Sequence, residues 1–205
     1  LARWTGAMTA PELLARMNEV RSQSEKTLLP LRLADEAAAA GRYAEARDRY
    51  AQAINAPLLK ARAQLGYIQA LHELGDAQTC AQTVDNMFAY DQVSHSATAT
   101  DLASYGASCI DKLKNVDAQQ KLRRRLRDKL EALVRDPKAA LLPDDRSDGL
   151  GTLTELADAQ GDKSGGDRYA EERLALLEPA AQAAKNPVAA STYDPHRLEA
   201  YLRLK

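Results

Sequence analysis

The sequence predicts an all-α chain of antiparallel helix hairpins, and three observations carry that expectation. Its apolar content is mostly Ala and Leu, with one Phe, one Trp and few β-branched residues, which favours helix over sheet. Stretches with apolar residues at three- and four-residue spacing recur along the chain, separated by Gly, Asn and Pro turns. A glycine turn also recurs, Gly75 standing 34 residues after Gly41. Such a period marks a repeat in which each unit buries its apolar face against the next.

The elements follow in order. Leu1-Ala2-Arg3-Trp4-Thr5-Gly6 reads as a short strand entering a turn. Thr9-x-x-Glu12 is a capping box that opens a helix with Leu13, Leu14, Met17 and Val20 on one side. Residues 31–57 then form a helix hairpin. Gly41 takes the left-handed conformation that ends its first helix, and Ala34 and Ala46 are small enough for two helices to approach closely. Tyr50 and Ala53 share the face of Ala46, at i+4 and i+7. A second hairpin turns at Gly75, with Cys80 in the place of Ala46 and Val84 in that of Tyr50. Helical stretches continue over 99–113, 117–135, 147–160, 165–184 and 195–205, with turns at Lys114-Asn115, Asp136-Pro137, Gly161-Asp162 and Asn186-Pro187. The chain starts on Leu1, and the amphipathic pattern of Leu198, Tyr201 and Leu202 runs to Lys205 without a stop signal, so both ends read as cuts.

The pattern Leu33, Ala34, Gly41-x-Tyr43-x-x-Ala46, Tyr50, Ala53, Pro57 resembles a tetratricopeptide repeat, with Pro57 one position early. That resemblance implies a helical-repeat solenoid with a concave surface made by the first helices, here parts of 31–40 and 61–74, that binds extended peptides or helices. The strand, Gly turn and Glu12-Leu13-Leu14 helix of residues 1–20 look like the last elements of a thioredoxin-like domain. Asp144-Asp145-Arg146-Ser147-Asp148, Ala170-Glu171-Glu172 and Tyr193 to Leu202 look like the helical region that follows that domain in some bacterial thioredoxin-family proteins. The resemblances together imply two domains. Residues 1–27 would be the remnant of a thioredoxin-like domain with a connecting helix, and 28–205 a truncated tetratricopeptide-like domain. The C-x-x-C and cis-Pro of a thioredoxin site would lie upstream of Leu1, so no redox role attaches to this segment.

Candidate sites are few. Cys80 and Cys109 fit neither a C-x-x-C motif nor a zinc site. They read as small core residues, since Cys80 stands where an Ala is wanted. The alternative is a disulfide between neighbouring helices in an oxidising compartment. Lys121 to Lys129 holds six basic residues and one acidic one on a helix whose Leu122, Leu126, Leu130 and Leu133 form an apolar stripe. It reads as a solvated face rather than a docking surface for an acidic partner or a nucleic-acid phosphate track, because no aromatics interleave and the whole-chain charge is balanced. Asp144, Asp145 and Asp148 lack the spacing of a calcium loop and read as helix caps, as does Asp194 before Pro195. His72, His95 and His196 are far apart, without a partner at catalytic spacing, and read as surface or interhelical residues. Gly161-Asp162-Lys163-Ser164-Gly165-Gly166 reads as an interhelical turn, since no strand precedes it.

The chain carries 28 basic and 29 acidic residues, a net charge of -1, so no global field draws nucleic acid or an anionic membrane. No apolar run approaches the roughly 18 residues that span a bilayer. The expectation is a non-enzymatic protein-interaction scaffold with a protein or peptide partner, no nucleic acid, no membrane insertion, and no catalytic, cofactor or metal site. The alternative is a client-positioning or dimerisation region of a thiol-disulfide oxidoreductase. Periplasmic, secreted and cytoplasmic placement and the oligomeric state stay open.

Overall fold

Gly41, Gly75 and Gly161 have positive φ, at 71°, 71° and 76°, and each closes a helix in the computed structural model, which describes residues 10–54, 60–88 and 96–205. At each turn the glycine N–H bonds the carbonyl three residues back and the following N–H the carbonyl five back. The pairs are Gly41 to Ala38 with Arg42 to Ala37, Gly75 to His72 with Asp76 to Leu71, and Gly161 to Asp158 with Asp162 to Ala157, all at 2.9–3.0 Å. This is the Schellman turn, which an L-residue with a Cβ resists. The residue after each glycine opens the next helix. Asp76 and Asp162 do so with a carboxylate that accepts from the N–H of Thr79 at 3.2 Å and Gly165 at 2.9 Å.

The helices, in order, are α1 Ala10–Ala39, α2 Tyr43–Ala53, α3 Lys60–Glu73, α4 Ala77–Met87, α5 Ala97–Asp111, α6 Val116–Arg135, α7 Pro143–Ala159, α8 Lys163–Gln182, the short α9 Pro187–Ser191 and α10 Asp194–Arg203. Among the described residues β structure is confined to a Ser96–Ala140 bridge. The chain divides into two units, Leu1–Ala70 and Leu71–Lys205.

In the first unit α1 packs on α2 through small residues. Ala34, Ala37 and Ala46 are fully buried, Ala53 and Tyr50 nearly so. Tyr50 is the large aromatic buried in this cluster, with Tyr67 packed against it from α3. A Cβ built on Gly66 would stand 2.3 Å from the Tyr50 ring, so only glycine lets α3 cross there. The Tyr50 hydroxyl donates to Asp35 at 2.8 Å. Burial, then that bond, raise its pKa above the ordinary tyrosine value. The other Asp35 oxygen accepts from Arg62 at 2.8 Å. This ion pair joins the 31–40 and 61–74 stretches that were expected to line a concave surface.

α1 is one helix of 30 residues that continues through Pro30 and through the expected 27/28 division. No Gly or Pro lies between residues 21 and 29, so nothing local stops it before Pro30, which removes a single backbone donor. The strand over Leu1–Gly6, Thr9 of the capping box, Pro57 and His95 lie outside the described residues.

In the second unit α4, α6 and α7 pack on α5, α7 on α8, and α8 on α10. The core holds Leu102, Leu130, Leu153, Leu156, Tyr169 and Leu177, and the predicted stripe Leu122, Leu126, Leu130, Leu133 is buried throughout. Two helix starts differ from expectation. α7 begins at Pro143, not near 147, because the Asp145 carboxylate accepts from the Leu142 N–H at 2.8 Å and pulls the start forward. Asp194 is not a cap. Tyr193 holds that position and Asp194 pairs with Arg197 at 2.9 Å.

The largest departure concerns the cysteines. Cys80 of α4 and Cys109 of α5 are not separate core residues. They are joined by a disulfide with Cα atoms 6.0 Å apart, and both are fully buried. Size alone suggests an Ala-like filler at Cys80; the approach of α5 places the second sulfur beside it.

Candidate functional site

The basic stretch of α6 is not a solvated face. Arg123 donates to Asp111 of α5 at 2.6 Å, and Arg125 and Lys129 each reach Asp85 of α4 at 2.7 Å. Arg127 donates to Asp162 at 2.6 Å, Gln160 at 2.8 Å and the Tyr169 hydroxyl at 3.2 Å. Four of the six cations thus tie α6 to its neighbours, while Lys121 and Arg124 face solvent. The Asp162 carboxyl is held below its ordinary range, first by Arg127 and then by the Gly165 N–H it caps. Arg127→Met should cost about 1–3 kcal/mol, because it strips the fully buried Tyr169 hydroxyl of its donor. Arg124→Met should stay within about 0.5 kcal/mol. Urea melts of the two variants make the comparison, and equal midpoints would return the stretch to a solvated face.

A groove of about 530 Å³ opens in the second unit. Helical spacing builds its walls. α7 contributes Asp148, Gly151, Glu155 and Asp158, at i, i+3, i+7 and i+10; α5 contributes Asp101 and Ser104; α10 contributes His196, Glu199 and Arg203; α8 contributes Arg173. Five carboxylates meet two guanidinium groups there, a net charge of -3 with histidine counted as neutral.

The two guanidinium groups are already committed. Arg173, 7% exposed, donates to Ser147 at 2.9 Å and Glu199 at 2.9 Å, and lies 2.5 Å from Nδ1 of His196. Arg203 grips both oxygens of Asp158, at 2.5 and 2.7 Å, and its Nε lies 3.1 Å from Asp167. Asp101 and Glu155 have no ion-pair or hydrogen-bond partner among the described residues.

Their chemistry reflects that isolation. Burial raises the pKa of Asp101, and Asp148 and Asp145 add to it. Burial raises Asp148 as well, against the opposing influence of His196 and Arg173. Burial raises Glu155, with Asp111 and Glu199 adding repulsion. Partial desolvation in the groove outweighs the nearby positive charge, Arg173 for Glu155 and His196 with Arg173 for Asp148. A cation entering the groove would relieve all three.

α10 completes one wall in an unusual way. It buries Ala200, yet Leu198, Tyr201 and Leu202, the predicted apolar stripe, are 48–59% exposed. Polar contacts hold its inner side. Besides Arg203, the Arg197 guanidinium spans both oxygens of Glu178 at 2.8 and 2.9 Å, and the Tyr201 hydroxyl donates to Glu178 at 2.8 Å.

The other predicted residues are placed as follows. Asp145 is a cap, as expected, whereas Asp148 turns into the groove with its carboxylate 3.4 Å from His196. His72 is interhelical, meeting Ser108 of α5 at 2.9 Å and the Tyr105 ring edge-on. Gly161 is an interhelical turn, and its geometry makes it a third member of the Gly41 and Gly75 series. Sequence reading missed that kinship, although a small residue follows five positions on in each case, Ala46, Cys80 and Gly166. The 20-residue α6 and the 17-residue α7 stretch the interval between Gly75 and Gly161 and hide it. The groove was missed as well, since its acids lie on separate helices. Among the described residues no group of three or more His, Cys, Asp and Glu side chains could hold a metal ion, and no helix is long and apolar enough to cross a membrane.

No family model matches the sequence, and no curated protein matches it. Among solved structures the chain is similar to the crystal structure of MamA protein, a tetratricopeptide-containing protein. The identity is 15%, 88% of each chain is covered and the TM-score is 0.50. The thioredoxin-family context gains no support from this comparison. At this identity the likeness concerns the fold alone, and together with the three Schellman turns it makes this an all-α chain of tetratricopeptide-like helix hairpins.

Proposed function

We propose that the chain is a protein-interaction scaffold whose groove between α5, α7 and α10 receives a lysine- or arginine-bearing segment of a partner protein. One observation carries the reading: Asp101 and Glu155 stand in the groove wall without an ion-pair or hydrogen-bond partner among the described residues, in a groove of net charge -3 on a chain of net charge -1. The repeat architecture supports it, since α5 and α7 are first helices of their hairpins and such helices form the binding face of stacked repeats. Arg203 on Asp158 is an internal example of how this wall holds a guanidinium.

The test is fluorescence anisotropy of the full chain with a fluorescein-labelled lysine-rich decapeptide and its glutamate counterpart. The lysine peptide should bind, more weakly as salt is raised, and the glutamate peptide should not. The double variant Asp101→Asn, Glu155→Gln should weaken binding by up to about tenfold, since exposed ion pairs are worth roughly 0.2–1 kcal/mol each and two are removed. Unchanged affinity in that variant would remove the groove as the site.

The pH dependence has a definite sign. The three groove carboxylates titrate above their ordinary range, and the ionised form is the one that binds a cation. Affinity should therefore fall on acidification, starting at a pH above that range, and binding should release protons because the ligand lowers these pKa values. Without ligand the same groups act oppositely on folding. A raised carboxylate pKa favours the native state at low pH, and that contribution is lost as pH rises through the raised values. Calorimetry in two buffers of different ionisation enthalpy counts the protons. A count of zero near the raised range would contradict this reading.

A further inference from the structure

We infer from the Cys80–Cys109 bridge that this chain is oxidised by a disulfide-bearing oxidant as it folds and works in an oxidising compartment, outside the reducing cytosol. The sequence contains two cysteines, and they meet. They stand 29 positions apart, on α4 and α5, which belong to successive hairpins. The slot of Cys80, five residues after a turn glycine, is filled by Ala46 in the first hairpin and by a buried Gly166 after Gly161. Packing there asks only for a small side chain, so the sulfur answers a covalent requirement.

The chemistry balances. A Cys thiolate attacks the oxidant disulfide and releases one thiol, forming a mixed disulfide. The second cysteine then displaces the other half as a second thiol. The protein loses two electrons and two protons, and the oxidant gains them as two thiols. Each step needs an attacking sulfur to reach a disulfide in line, and neither Cys80 nor Cys109 has exposed surface once α4 and α5 are packed. Exchange must therefore precede the closing of that joint, while the chain is still in contact with the oxidant. In the cytosol the thiols would be reduced at that moment and would be enclosed as thiols. After packing the same enclosure shuts out reductants, which marks the bridge as a lasting structural link rather than an exchanging one. This inference is independent of the groove; if both hold, the cationic partner is a protein of the same compartment.

The redox state in the cells that naturally produce the chain decides the matter. Cells are quenched in acid, the protein is denatured, and free thiols are capped with N-ethylmaleimide. The bridge is then reduced and new thiols are capped with the deuterated reagent, so that peptide masses report each cysteine. Denaturation ensures that burial cannot hide a thiol. Heavy label on both Cys80 and Cys109 is the expected result. Light label on both would overturn the inference. A single-cysteine variant, Cys109→Ala, supplies a control that does not depend on a fully stable fold. In the same cells its remaining Cys80 should carry a mixed disulfide with the oxidant, or a disulfide to a second chain, in place of a free thiol. A fully reduced Cys80 in that variant would count against an oxidising compartment.

Discussion

Replacing Cys80 and Cys109 together by alanine should lower the unfolding free energy of the second unit by about 3–4 kcal/mol. The figure follows from the chain entropy that a bridge over 29 positions removes from the unfolded state. Alanine suits the test because Ala46 fills the slot equivalent to Cys80 in the first hairpin and is fully buried there, so little packing is lost beyond the sulfur atoms. Two urea melts give the answer, one under oxidising conditions and one with dithiothreitol added after denaturation. The wild type should drop on reduction to near the level of the variant, and the variant should not move. Coincident midpoints for the oxidised wild type and the variant would mean that the bridge adds nothing to stability.

Ala46→Leu should cost about 1–3 kcal/mol, because Ala46 is fully buried where α1 and α2 meet, among Ala34, Ala37 and Tyr50. Ala44→Leu, two residues earlier on the exposed face of α2, should stay within about 0.5 kcal/mol. Leucine and alanine are both strong helix formers, so a large difference between the variants reports packing rather than propensity. Chemical denaturation of the two proteins makes the comparison. Equal midpoints would remove Ala46 from a helix–helix contact and withdraw the hairpin geometry on which the repeat rests.

The hairpins were legible in the sequence because their signals are local. The turn at Gly41 requires a residue that tolerates positive φ, and the Ala46, Tyr50, Ala53 face is set by the 3.6-residue period. Both facts are complete within a few residues of chain. The Leu122, Leu126, Leu130, Leu133 stripe is equally self-contained, and it is buried as its spacing requires.

What the tertiary structure alone decided concerns side chains whose partners lie on other helices. Arg123, Arg125, Arg127 and Lys129 read as a basic face until Asp111, Asp85 and Asp162 are brought opposite them. Cys80 reads as a small filler until α5 delivers Cys109. Asp101, Glu155 and Arg203 read as unrelated helix-surface residues until α5, α7 and α10 bring them to one groove. Their spacing along the chain carries no pattern, since the meeting point depends on helix lengths and crossing angles summed over every intervening turn. Local periodicity determines which face of a helix is buried; the packing of one helix on another determines which charges that burial leaves without a partner.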